Sequence, residues 1–108
     1  MDTTQLLKGV LDISVLAVLR DEDGYGYDIL RRMREVGLEE IGDASVYGTL
    51  RRLYQGGMVS SYIVPSEEGP PRRYYAINKA GRDHLNLSIK TWRSFVEALD
   101  ALFGKEAA

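Results

Sequence analysis

Residues 42–77 read GDASVYGTLRRLYQGGMVSSYIVPSEEGPPRRYYAI, and this stretch decides the fold. Asp43 is a short acceptor side chain of the kind that caps helix N-termini, which predicts a helix over about 44–55. Val46, Leu50 and Leu53 fall at i, i+4 and i+7 and form its buried stripe. The other face carries Ala44, Gly48, Arg51, Arg52 and Gln55, flanked by Ser45 and Tyr47, and nothing acidic. Gly56-Gly57 stops the helix. Met58 to Val64 is rich in residues that favour extended backbone. Pro65 to Pro71 has turn composition. Arg72 to Ile77 then returns as a second strand, with Arg73, Tyr75 and Ile77 alternating against Arg72, Tyr74 and Ala76. The two strands make a hairpin.

Toward the N-terminus, Tyr25, Ile29 and Met33 share one face of a second helix, predicted from Tyr25 to Val36 and stopped by Gly37. The run Asp21-Glu22-Asp23-Gly24 makes the turn before it. Residues 4–20 are expected to form one helix. Its apolar positions cover nearly the whole circumference, so it is expected to be buried on all sides, with one face covered by another subunit. Toward the C-terminus, Asn78 predicts an N-cap for a helix from about Lys79 to Phe103. Leu85, Ile89, Trp92, Val96, Leu99 and Phe103 are spaced 4, 3, 4, 3, 4, an a/d seam. That seam favours a helix of a second copy over the chain's own first helix. The tail from Lys105 is expected to fray.

The chain's 108 residues and 44% hydrophobic content suit one globular unit that gains burial by pairing. There is no cysteine, which excludes disulfides and thiolate metal sites. Neither a leader pattern nor a membrane-length apolar run is visible, so a cytoplasmic protein without membrane contact is expected. The net charge of −2 argues at first against nucleic acid. Its distribution argues the other way. Residues 44–82 hold six basic and two acidic residues, a balance of +4, which leaves −6 for the remainder.

The element order is helix, helix, helix, strand, loop, strand, helix. A helix-turn-helix followed at once by a hairpin is a winged helix-turn-helix, a mainly α fold with a small β-hairpin. In such modules the third helix enters the major groove of double-stranded DNA. The candidate DNA-binding residues are Ser45, Tyr47, Gly48, Thr49, Arg51 and Arg52 on that helix, and Arg72 and Arg73 at the base of the wing. Gly48 removes bulk where DNA must approach closely, and the arginines can reach phosphates or guanine edges. Tyr47 has the alternative of packing beneath the helix, and Arg52 that of pairing with an acid of the second helix. Glu67 and Glu68 would repel phosphate, so the wing's base and not its tip is expected at the backbone. The dimer interface is expected at Leu7, Val10 and Leu11 with Leu85, Ile89, Trp92, Val96, Leu99 and Phe103. Residues 1–78 are read as the DNA-binding domain and 79–108 as a C-terminal dimerisation helix.

Four segments carry a resemblance to a family. They are Leu6-Leu7-Lys8-Gly9, Tyr25-Gly26-Tyr27-Asp28-Ile29, Tyr47-Gly48-Thr49-Leu50-Arg51-Arg52-Leu53 and the run from Gly69 to Gly81. Together they resemble the PadR-like transcriptional regulators, although Val46-Tyr47-Gly48-Thr49 departs from the usual Gly-Thr-Leu-Tyr-Pro of the third helix. One C-terminal helix is similar to the short subfamily, whose members dimerise through their first and last helices. The resemblance extends to the lactococcal multidrug-binding repressor, which holds flat aromatic compounds between paired tryptophans. It implies a small aromatic effector stacked on Trp92, with Leu99 and Asp100 lining the same cavity. The alternative for Trp92 is plain core. The function implied is a repressor that binds a palindromic operator as a homodimer. The alternative is a winged-helix protein-interaction adaptor without DNA binding, favoured by the acidic total charge and acidic wing tip. Enzymatic activity is not expected. His84 is the only histidine, and no nucleophile, phosphate loop, metal set or cofactor motif accompanies it.

Overall fold

A computed structural model of the chain describes residues 3–7 and 9–104. The order is α1 (Thr4–Leu7), α2 (Leu11–Asp21), β1 (Gly24–Tyr25), α3 (Gly26–Glu35), α4 (Asp43–Gln55), β2 (Val59–Val64), β3 (Arg72–Ile77) and α5 (Lys79–Phe103). The strands form an antiparallel sheet in the order β1-β3-β2.

The helix expected over residues 4–20 is two helices. Gly9 and Val10 form a turn, with the Val10 N–H donating to the Leu7 carbonyl at 3.0 Å. Glycine's low helix propensity favours a break here. Ser14 then restarts the chain, donating to the Val10 carbonyl from its backbone N–H at 2.9 Å and its hydroxyl at 2.8 Å. Lys8 and the tail from Lys105 lie outside the described residues. Asp43 is the first residue of α4 and Gly42 its N-cap, so the expected cap is shifted by one position. Asn78 does cap α5, its side-chain oxygen accepting from the Gly81 N–H at 2.9 Å.

Two helices end in the same device. Gly37 and Gly57 adopt φ of 112° and 74°. After them, Leu38 N–H reaches Met33 O and Met58 N–H reaches Leu53 O. A residue in the left-handed region is needed for this closure, and glycine takes it without a Cβ penalty.

The chain's own core covers one side of α2 and leaves Leu11, Ile13, Ala17 and Val18 half-buried on the rest. Val15, Leu16 and Leu19 are fully buried by the chain's own α3, α4, α5 and β3. Leu7 and Leu85, expected at a subunit interface, are likewise buried in the protomer's own core. Val10, Leu11 and Ile89 pack partly against it. Because Gly81 and Leu85 are buried too, residues on both sides of the 78/79 division share one core. A Cβ on Gly81 would sit 2.2 Å from the Met58 carbonyl oxygen, so only glycine lets α5 approach the root of β2 this closely.

Beyond Ile89 the helix changes character. Trp92, Phe95, Leu102 and Phe103 are exposed, and Val96 and Leu99 only half-covered. This half of α5 is apolar without a partner in the chain, and the molecule's long axis reaches 59 Å. Among the described residues no helix is long and apolar enough to cross a membrane.

Candidate nucleic-acid interface

A groove of about 350 Å³ lies between α4 and the hairpin, lined by Tyr47, Arg51, Tyr54, Ser61, Arg73 and Tyr75. It holds two arginines and no carboxylate. The register builds it. Ser61 pairs with Tyr75 and Ile63 with Arg73, so Arg73, Tyr75 and Ile77 share the sheet face that turns toward the core. Ile77 is buried there, Tyr75 is half-buried, and Arg73 emerges at the rim. The Arg73 guanidinium donates to Ser61 Oγ at 2.8 Å, which holds it against the sheet without neutralising it. Arg51 makes no hydrogen bond or ion pair among the described residues.

Tyr47 packs with one edge and leaves the rest of its ring exposed. A Cβ on Gly26 would lie 2.1 Å from Tyr47 Cε1, so the ring rests on the first residue of α3. It nevertheless remains 46% exposed toward the groove. Gly48 has no neighbour within 4 Å of where its Cβ would be, so nothing in the protomer demands a glycine there. Ser45 is exposed at the same end of α4.

The burial of Thr49 corrects one expected contact, and the acid weighed as a partner for Arg52 is a different one. Thr49 is fully buried, and its hydroxyl donates to the Ser45 carbonyl at 2.7 Å. A helical threonine satisfies its polarity in this way and needs no solvent. Arg52 is engaged by an acid, but that acid belongs to α2 and not to α3: the guanidinium meets Asp12 at 2.7 Å and Thr49 Oγ1 at 3.3 Å.

Arg72 faces away from the groove. It lies 4.6 Å above the Tyr25 ring and donates to the Tyr25 hydroxyl at 3.2 Å. Tyr25, Tyr74 and Tyr62 stand opposite one another in a row across all three strands, with ring centroids 5.3 and 5.7 Å apart. The Tyr62 hydroxyl donates to Asp23 Oδ2 at 2.6 Å, and this bond raises the Tyr62 pKa. Sequence reading missed Tyr54, Ser61 and Tyr75 as lining residues. The strand alternation had placed Tyr75 beside Arg73, but nothing local pairs Ser61 with it.

On α5, Trp92 is 43% exposed and its ring centre lies 6.1 Å from that of Phe95. Leu99 is half-buried and Asp100 exposed further along the same helix. His84 is half-buried near the start of α5.

The profile of the transcriptional regulator PadR-like family matches residues 15–87, from the middle of α2 through the wing into α5. The chain belongs to the PadR-like family. It is accordingly a transcriptional regulator, of a family of regulators and not of enzymes. A PadR-like regulator from Bacillus cereus is 27% identical, with a TM-score of 0.83 over 94% of this chain and 99% of that one. One from Eggerthella lenta is 26% identical, with a TM-score of 0.86 over 96% of this chain and 90% of that one. The PadR-like chain is also 28% identical over 102 residues to an uncharacterized protein, protein X, of Lysinibacillus sphaericus, covering 93% of this chain and 94% of the relative.

Proposed function

We propose that this PadR-like regulator is a repressor that binds a palindromic DNA operator as a homodimer. The observation that carries this reading is the carboxylate-free groove between α4 and the wing, where Arg51 and Arg73 face one another's side of a single cleft. Helix α4 enters the major groove by its N-terminal end, presenting Ser45, Tyr47 and the bare backbone of Gly48. Arg51 and Arg73 bind the adjacent phosphates. These contacts supply most of the affinity and make it fall with salt. Arg52 and Arg72 have internal partners and contribute less. Thr49 contributes through the helix only.

The second copy joins through the uncovered half of α5, where Trp92, Val96, Leu99 and Phe103 continue the seam. Two protomers then present two α4 helices to half-sites about one or two helical turns apart. A small flat aromatic effector stacks on Trp92 between the subunits and releases the operator.

Fluorescence anisotropy with DNA fragments from the chain's own promoter region tests this, with footprinting to locate the site. Saturable, salt-sensitive binding to a palindrome, lost on joint replacement of Arg51 and Arg73 by alanine with the dimer intact, is the expected result. No sequence preference and no salt dependence would instead favour the protein-interaction adaptor.

A further inference from the structure

The two edge strands of the sheet, β1 and β2, never touch as backbones, because β3 lies between them. They are nevertheless joined by side chains. Asp23, immediately before β1, accepts from the hydroxyl of Tyr62 in the middle of β2 at 2.6 Å. The link passes over Tyr74 of β3, whose ring stacks on Tyr62 with an interplanar angle of 25°.

The Asp23 end is itself fixed. Arg32 of α3 is 17% exposed and donates to the carbonyls of Val18, Glu22 and Asp23 at 3.3, 3.1 and 3.2 Å. Its other partner is Asp28, at 3.2 Å. A Cβ on Gly24 would sit 2.1 Å from the guanidinium, so the glycine is what admits it. Strand β1 holds only two backbone pairs, Gly24 with Tyr75 and Tyr25 with Tyr74. So short a strand adheres weakly by its ladder alone.

We infer that Tyr62 and Asp23 form a strap that registers the outer strand of the wing to α3, making them positioning residues for DNA binding although they lie on the face turned away from the groove. The strap fixes the tilt of the hairpin against α4. That tilt sets how far Arg73 stands from Arg51. The inference rests on the DNA-binding reading for its functional consequence, but not for its structural one.

Tyr62→Phe removes only the hydroxyl and keeps the stacked ring. Two measurements are made on the full chain. In hydrogen exchange without DNA, the β2–β3 amides of the Tyr62→Phe chain exchange about three- to tenfold faster, the scale of one lost hydrogen bond, while those of α2 and α4 are unchanged. Beside an intact Tyr62, Asp23→Asn, which keeps an acceptor oxygen, retains slow exchange, and Asp23→Ala exchanges as fast as Tyr62→Phe. In a double-mutant cycle with operator DNA, Tyr62→Phe weakens binding by a similar factor in the parent chain and has no effect beside Arg73→Ala. Unchanged exchange, or equal losses in both backgrounds, overturns the strap. Wing amides loosened by Tyr62→Phe, together with a parent chain that binds no DNA specifically, support the strap and overturn the DNA-binding reading.

Discussion

Arg52 and Asp12 meet at 2.7 Å across 40 residues of sequence, tying α4 to the first turn of α2. The neighbouring Arg51 has no such tie among the described residues, so two adjacent arginines of one helix have different work. Arg51→Ala is expected to weaken operator binding about tenfold or more and to reduce the slope of log affinity against log salt by ~1. Arg52→Ala is expected to weaken binding less. Both ends of its ion pair are exposed, so the pair contributes about 0–1 kcal/mol to stability. Anisotropy titrations at several salt concentrations, with thermal melts of each variant, check both. Equal losses of affinity for the two variants would contradict the division.

Gly26 and Gly48 give opposite expectations for the same substitution. An alanine at Gly26 collides with the Tyr47 ring at 2.1 Å, and displacing a packed side chain costs about 1–3 kcal/mol. An alanine at Gly48 meets nothing and improves the interior of α4, stabilising the chain by about 0.5–1 kcal/mol. Yet it adds a methyl where α4 meets DNA, so Gly48→Ala is expected to be more stable and to bind the operator less tightly. Paired chemical denaturation and anisotropy measurements decide this. Tighter binding by Gly48→Ala would remove the reason given for the glycine.

Tyr62 predicts a feature at alkaline pH. Its hydroxyl is a donor to Asp23, so the folded state holds the proton above the usual tyrosine value of about 10. The sign follows from linkage. A raised folded pKa contributes stability that is complete below the unfolded pKa and lost as pH rises through the folded one. Ultraviolet titration near 295 nm is expected to show a late-ionising tyrosine that Tyr62→Phe lacks. The difference in stability between the two chains should shrink above about pH 10. A parent and variant with superimposable alkaline titrations would show that Tyr62 keeps no such bond.

The bare half of α5 predicts the oligomer. Phe103→Glu and Leu99→Glu together are expected to convert a dimer to a monomer in light scattering, with the helical circular dichroism retained. Trp92, 43% exposed in the protomer, should emit at shorter wavelength in the dimer and shift red in the monomer. Aromatic compounds that quench Trp92 only in the dimer would support the effector site. A double variant that still dimerises would place the interface elsewhere.

The long elements were legible because their patterns are long. The stripe of Val46, Leu50 and Leu53 marked α4, and the alternation around Tyr74 marked β3. What failed was short or distant. Strand β1 is two residues, too few for any periodicity, and its partners are the distant Tyr74 and Tyr75. Thr49 looked available because it is polar, but a hydroxyl that bonds back along its own helix can be buried as fully as a valine. The apolar girth of α2 was legible, but which of its sides the chain's own core covers was not. Four elements of the same chain pack on the side of Val15, Leu16 and Leu19, a fact of topology that no local pattern carries.

Asn78 stands between the wing and α5, and its bonds run both ways. Its side-chain oxygen holds the first turn of α5, while its amide group donates to the Gly57 carbonyl at 2.8 Å, at the end of α4. One residue thus clamps the helix proposed to read DNA to the helix proposed to pair the subunits. A dimer built on α5 has no slack hinge at this point. The spacing between its two reading heads works like that of a fixed caliper, whose opening is set at a single rivet, so an operator with half-sites moved by one base pair should be read as a different object.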